Sequence, residues 1–298
     1  MLAYSNARIG IAVISDDKHS IKFKNSISTI RNYGHLQKYP VFVIPSTSLC
    51  KRSIPYFFFQ KHCTVKELLF SMPKLSYLLV LDADNYIVNT NKRIEEFITP
   101  SHDLILSIRF LNNEITAGNY IVKNTLWSKD FLTDWMNSYK QYMGHKFFLG
   151  YKYDYGYNFD NGALHYLLLK RLTGTIKTCQ KYIETTSMRD YDPFVKCVHL
   201  FLNKTACQGK EWEHIKILCK WKSFYIDGSL TNEKWSNDSF ILHGLKDDKL
   251  LSTKKNIANN YVVPSVLLQI LKEKARIQII ARDTGWDHAS CVQNGQII

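Results

Sequence analysis

The sequence predicts an α/β protein with a mainly parallel central sheet flanked by helices. Strand-like and helix-like runs alternate through the first half of the chain, and the strand-like runs are short and almost wholly apolar. Such runs belong to strands buried on both faces, and a strand–helix–strand–helix–strand rhythm orders them in parallel. The third strand-like run is followed at once by two aspartates, Asp82 and Asp84. In sheets of this kind ligands bind beyond the carboxyl ends of the strands.

The elements run as follows. Ile9 to Ile14 is a β-branched strand ending at the polar loop Ser15-Asp16-Asp17. Residues 20–36 place Ile21, Phe23, Ile27, Ile30 and Tyr33 at near-helical spacing. Val41 to Ile44 is a second strand, closed by Pro45. A helix from about Cys63 to Met72 follows, ended by Pro73, and then the strand Tyr77 to Leu81. Residues 103–108 and 118–122 read as further strands, residues 125–139 as an amphipathic helix carrying Trp127, Phe131, Leu132 and Trp135, and residues 161–172 as another helix. The stretch 173–240 is mixed, and a final helix is expected from Pro264 to about Ile280, with proline in its first turn. No linker divides the chain, so residues 1–250 are expected to form one domain, with 251–298 a C-terminal helix and tail packed on it.

Composition narrows the function. Apolar residues make up 45% of 298 and charged residues 22%, which excludes global disorder. The net charge of +13 calls for an anionic partner, but the basic residues are scattered and form no dense stripe. That argues for a phosphate-bearing ligand over nucleic acid. The seven cysteines contain no C-x-x-C pair, so a zinc ribbon is excluded in favour of buried thiols or disulfides; four of them fall between 179 and 219. Sequons at Asn203-Lys204-Thr205 and Asn237-Asp238-Ser239 matter only in a secretory compartment. The chain carries no leader-like segment and no apolar run of membrane-spanning length. Either it is cytosolic or a targeting segment or membrane anchor lies outside it.

Two carboxylates at i and i+2 leaving a strand can share one hard divalent cation, which keeps room for phosphate oxygens. Asp82-Ala83-Asp84 has this spacing, although a solvated strand end would look the same. A second Asp-x-Asp, Asp190-Tyr191-Asp192, follows no apolar strand and precedes Pro193, so it reads as a loop or turn.

The segment 79–89, Leu-Val-Leu-Asp-Ala-Asp-Asn-Tyr-Ile-Val-Asn, resembles the metal-binding signature of GT-A glycosyltransferases. Residues 117–125, Ala-Gly-Asn-Tyr-Ile-Val-Lys-Asn-Thr, with the run from Trp127 to Trp135, are similar to a stretch of Golgi α-galactosyl-, mannosyl- and xylosyltransferases, and Asp160-Asn161-Gly162-Ala163-Leu164 to their later D-Q-x-A-L motif. Closer still is a family of unknown function, best known from nematode worms, carrying R-H-C, L-D-A-D, A-G-S-Y-x-V-K-N-T and D-N-G-A-x-H in this order; Lys61-His62-Cys63 matches the first with lysine for arginine.

The resemblance implies a GT-A (Rossmann-like nucleotide-diphospho-sugar transferase) fold. It implies metal-dependent transfer of a sugar from a nucleotide-sugar donor, a UDP-hexose, to a glycan or glycoprotein acceptor with retention of anomeric configuration, in the Golgi or secretory lumen. Asp84 and His243, with Asp82 directly or through the nucleotide ribose, would hold Mn²⁺ or Mg²⁺, the imidazole favouring manganese over calcium. His243 could equally be a satisfied strand-end histidine. Lys246 would meet a phosphate. Ala83, Ala117 and Gly118 would line the donor, with small side chains at 117 and 118 letting a sugar approach the backbone, unless close packing alone explains them. Asp160 would hydrogen-bond sugar hydroxyls or cap the helix after it. Asn161, standing where related enzymes carry glutamine, would orient the sugar, since an amide is a poor nucleophile. The alternating tyrosines Tyr151, Tyr153, Tyr155 and Tyr157 are either an acceptor loop or an ordinary one. The rival readings are a catalytically inactive relative that only binds, and a basic polyanion-binding α/β protein.

Overall fold

The computed structural model describes residues 8–109, 113–142, 160–174, 176–183, 188–206, 208–219, 222–227, 239–244, 292–293 and 296–297. Strand β1 (Ile9–Ile14) pairs in parallel with β2 (Val41–Ile44) on one side and β3 (Tyr77–Leu81) on the other. The sheet continues through β6 (Tyr120–Lys123) and β5 (Leu104–Ser107) to β7 (Ile215–Leu218), giving the order β2-β1-β3-β6-β5-β7. β6 is antiparallel to both of its neighbours, and β5 and β7 are parallel. Three of the five pairings are therefore parallel, and the expected mixed α/β architecture with a mainly parallel central sheet is present.

Side chains alternate across a strand, so each strand feeds two cores. On one face Ala12, Leu78, Val80, Leu106 and Tyr120 pack under α4 (Phe57–Ser71), α5 (Leu126–Asn137) and α6 (Asp160–Thr173), through Phe59, Leu69, Phe131, Trp135, Leu164 and Leu168. On the other, Ile11, Val13, Leu79, Leu81 and Ile121 meet Ile30 and Tyr33 of α2 (Lys24–Gln37). The same core takes in Tyr225, Phe240 and Ile241 from a small sheet of β4 (Tyr86–Ile87), β9 (Ile241–His243) and β8 (Tyr225–Asp227).

Several expectations change. The helix expected over 20–36 is two: α1 (Asp17–Lys22), capped by the Asp16 side chain, and α2. α1 buries nothing, whereas Phe23 at the junction is core, and the axis breaks where the chain turns inward. The helix expected from Cys63 begins six residues earlier, at Phe57, after a short α3 (Ser48–Ser53). Asp190-Tyr191-Asp192 is not a turn: it lies in α8 (Met188–Thr205), which includes Pro193. Phe194, Val195, Val198 and Leu202 bury one face of α8 against the core, and this packing outweighs the local turn signal. Two disulfides form, Cys50–Cys63 between α3 and α4, and Cys179–Cys197 between α7 (Lys177–Gln180) and α8. Among the described residues Cys219 is a free thiol.

The tail contains an antiparallel pair, β10 (Val292–Gln293) and β11 (Gln296–Ile297). The expected helix over 264–280, Lys246 and the tyrosines of 151–157 lie outside the described residues. No helix among those described is long and apolar enough to cross a membrane.

Candidate metal site

β3 delivers Asp82 to the carboxyl edge of the sheet, and hydrogen bonds fix the loop that follows. The Asp82 N–H donates to Asn119 Oδ1 at 3.1 Å, and Asn85 Nδ2 donates to the Asp82 carbonyl at 2.7 Å. Asn85 and Asn119, both fully buried, exchange amide hydrogen bonds at 2.9 and 3.0 Å. α2 grips the same loop: Ser26 Oγ donates to the Ala83 carbonyl, and Thr29 Oγ1 accepts from the Ile87 N–H. Buried polar groups satisfied this completely leave the chain one conformation.

β4 follows directly, and its antiparallel pairing with β9 matches Tyr86 with Leu242. The register carried one residue further sets His243 opposite Asn85, beside the two aspartates. His243 Nε2 lies 3.6 Å from Asp82 Oδ2 and 3.4 Å from Asp84 Oδ1. One ligand atom from each of the three residues falls within 4.8 Å of the others. The Tyr225 ring meets the imidazole edge-on at 5.8 Å, and the Tyr225 hydroxyl bonds to Thr116 Oγ1.

The donor set fits a divalent ion: two carboxylates and an imidazole converge, and Gly118, having no Cβ, makes room for the Asp82 carboxylate among them. A Cβ there would sit 2.3 Å from Asp82 Oδ2, so glycine is required if that oxygen is to stay where it faces His243. Ala117 is buried beside it.

The least legible member of the site is Lys61. Its side chain, 2% exposed, enters from α4 and places Nζ 3.1 Å from Asp82 Oδ1 and 3.4 Å from Asp160 Oδ2. Burial opposes the ammonium charge, but the two carboxylates outweigh it and raise the Lys61 pKa. Burial would likewise raise Asp82 and Asp160; Lys61 reverses this in both, helped by His243 at Asp82 and by His62 at Asp160, and both carboxyls are held below the usual range. Asp82 thus divides its oxygens, Oδ1 to Lys61 and Oδ2 to the side of His243.

Asp160 is the first residue of α6, and its Oδ1 accepts from the Asn161 N–H at 3.0 Å. His62 Nε2 lies 3.7 Å from Asp160 Oδ2, while the His62 ring stacks on Trp135 at 3.7 Å and its Nδ1 meets Tyr120 Oη at 3.1 Å. Burial pushes the His62 pKa down to about 4 despite the carboxylate. Asn161 Oδ1 accepts from the Ala117 N–H at 2.6 Å, and His165 Nε2 accepts from the Ile115 N–H at 3.1 Å. One turn of α6 therefore holds the segment that leads into Ala117 and Gly118. Gly162 between them touches Tyr142: a Cβ there would lie 2.0 Å from its hydroxyl.

The structure brings Asp82, Asp84 and His243 together, with Asp160 joined to them through Lys61 and Asn161 joined to Ala117. Lys61 and His62 entered the sequence reading only as a motif match. Nothing in their spacing says that α4 would aim a lysine into a pair of aspartates 21 and 99 residues away.

The mixed α/β fold thus carries an acid–acid–imidazole cluster, a candidate metal site, at the carboxyl edge of its sheet. The chain belongs to the family described as "Protein of unknown function, DUF273", whose model matches residues 30–260. No curated protein matches the sequence. Among solved structures, the chain is similar to a glycosyltransferase involved in the glycosylation of the major capsid of PBCV-1, at 18% identity over 43% of this chain and 65% of that one, with a TM-score of 0.36. It is similar to the catalytic domain of Drosophila beta1,4-galactosyltransferase 7 in complex with xylobiose, at 10% identity over 43% and 52%, with a TM-score of 0.31. A mutant of the same Drosophila enzyme with manganese, UDP-Gal and xylobiose matches at 8% identity over 92% and 81%, with a TM-score of 0.37. The chain spans less than two thirds of the length of the first two. TM-scores this low mark a distant likeness, and it is the site's own geometry that bears on function.

Proposed function

We propose that this chain is a metal-dependent glycosyltransferase of the GT-A kind, moving a sugar from a nucleotide-sugar donor, a UDP-hexose, to a glycan or glycoprotein acceptor with retention of configuration. The observation that supports it most is the convergence of Asp82, Asp84 and His243 within 4.8 Å at the end of β3. Asp82 Oδ2, Asp84 and His243 Nε2 hold the ion, Mn²⁺ in preference to Mg²⁺ because one ligand is an imidazole. When bound, the ion supplies positive charge that stabilises a diphosphate leaving group.

The chain's own residues do the rest. Lys61 keeps Asp82 and Asp160 ionised and fixes their separation. Asp160 accepts hydrogen bonds from sugar hydroxyls. Asn161 orients the donor through the Ala117–Gly118 backbone that it holds. Lys246 meets a phosphate. The catalytic unit is residues 1–250, with 251–298 as its C-terminal helix and tail. Its place is the Golgi or secretory lumen, a reading supported by the two disulfides, which persist in oxidising compartments.

The test is calorimetric titration of UDP with Mn²⁺, with chelator, and against Asp82→Ala/Asp84→Ala. Binding that needs manganese and vanishes in the double variant supports transfer and opens a screen of sugars and acceptors. If UDP does not bind folded wild type under any metal condition, the UDP-sugar reading is abandoned. Salt-sensitive polyanion binding that survives loss of both aspartates would replace it.

A further inference from the structure

We propose that Asn203 carries an N-linked glycan, so that the protein is itself glycosylated. The inference rests on the lumenal reading above and not on the transferase reading. Asn203-Lys204-Thr205 is an acceptor triplet, and the fold exposes it: Asn203 and Lys204 are solvent-facing in the last turn of α8, where helices fray. Leu200, one turn earlier on the same open side, is 62% exposed, a large apolar side chain that the first sugar of a glycan would cover.

Thr205 ends α8, and the chain enters β7 at Ile215, beside Asp103 and Leu104 at the start of β5. β5 and β7 run in the same direction as β3, since β6 is antiparallel to both β3 and β5. The segment that joins α8 to β7 therefore reaches the sheet at the edge opposite the one that carries Asp82.

The transfer joins Asn203 Nδ2 to the C1 of an oligosaccharide and breaks the bond between C1 and the diphosphate of a lipid-linked donor. The lipid diphosphate leaves, and the amide proton passes to a base of the transferring enzyme. This occurs before α8 closes. Residues two apart on a helix point about 200° away from each other, and the Thr205 hydroxyl is already donated to the Phe201 carbonyl at 3.1 Å. The amide and hydroxyl of the triplet can face one catalyst only while the segment is extended. Cys197, on the same helix, then locks it to Cys179.

The experiment is peptide mapping of the protein purified from its own cells, alkylated without reduction and treated with peptide-N-glycosidase in ¹⁸O-water. The expected result is ¹⁸O-labelled aspartate at position 203, with Cys50–Cys63 and Cys179–Cys197 recovered as linked peptides. Intact disulfides with unlabelled Asn203 overturn the glycan and leave the lumenal reading standing. Four alkylated thiols with unlabelled Asn203 overturn both. In secreted recombinant protein, Asn203→Gln is expected to lose the mass of one glycan and to bind Mn²⁺ as wild type does; an unchanged mass would again count against the site.

Discussion

Lys61 Nζ stands 3.1 Å from Asp82 Oδ1, inside a protein interior that leaves the lysine 2% exposed. The same ammonium reaches Asp160 Oδ2 at 3.4 Å, so one buried cation compensates two carboxylates supplied by β3 and α6. A buried charge is tolerated when its partners are close, and the partners become a liability once it is gone.

Lys61→Met is therefore expected to destabilise the fold by about 3 kcal/mol, at the lower end of the range for breaking a buried pair because Asp82 retains some contact with water. Lys61→Arg keeps the charge, and arginine stands at this position in the R-H-C motif that the segment resembles; it should recover most of the loss. Urea midpoints of the three proteins measure it, and equal midpoints for Lys61→Met and wild type would refute the coupling.

Manganese should stabilise the folded chain alone. At a free concentration about 100 times its dissociation constant the gain is about 2.7 kcal/mol, or about 5–10 °C in Tm for a domain of this size. Asp84→Asn and His243→Ala should each abolish the increment, and chelator should reverse it in wild type. A thermal scan in which the variants respond as wild type does would remove these two residues from the metal shell.

Gly118→Ala tests how closely the backbone approaches the site. Its Cβ would fall 2.3 Å from Asp82 Oδ2, and the carboxylate must turn away from His243 to admit it. Manganese affinity is expected to drop about tenfold or more, because the new methyl displaces the carboxylate that faces the site. Unchanged affinity in a titration would show that Oδ2 is not a ligand.

His165 predicts a pH dependence. Burial pushes its pKa down to about 4 from 6.5, against the opposing bond of its ring N–H to the Asn161 carbonyl. Above about pH 6.5 the ring is neutral in folded and unfolded chains, and its contribution is fully present. Between 6.5 and 4 only the unfolded chain takes up the proton, so stability falls as pH falls. At about 1.4 kcal/mol per pKa unit the loss is about 3 kcal/mol by pH 4. His62, also pushed to about 4, adds to the trend. Denaturation at pH 7 and pH 4.5 measures the slope, which should flatten in His165→Asn; an identical slope there would exclude His165 as its source.

What the sequence determined by itself was local. β1, β2 and β3 were legible to the residue because each is an apolar run between polar or proline boundaries, and the Asp82–Asp84 pair was legible because it caps the third of them. The break at Phe23, the early start of α4 and the helix through Pro193 were not, because they depend on which side chains the core accepts. Nor did any periodicity show that β6 enters antiparallel between β3 and β5, a matter of hydrogen bonding between distant segments. The site divides in the same way. Its carboxylates are a short motif, but His243 reaches them through the β4–β9 register, Lys61 through the packing of α4, and the Asn161–Ala117 bond through the docking of α6. These are contacts between residues 21 to 161 positions apart, and only the tertiary structure decides them, because it alone sets which distant groups the packing of strands and helices brings together.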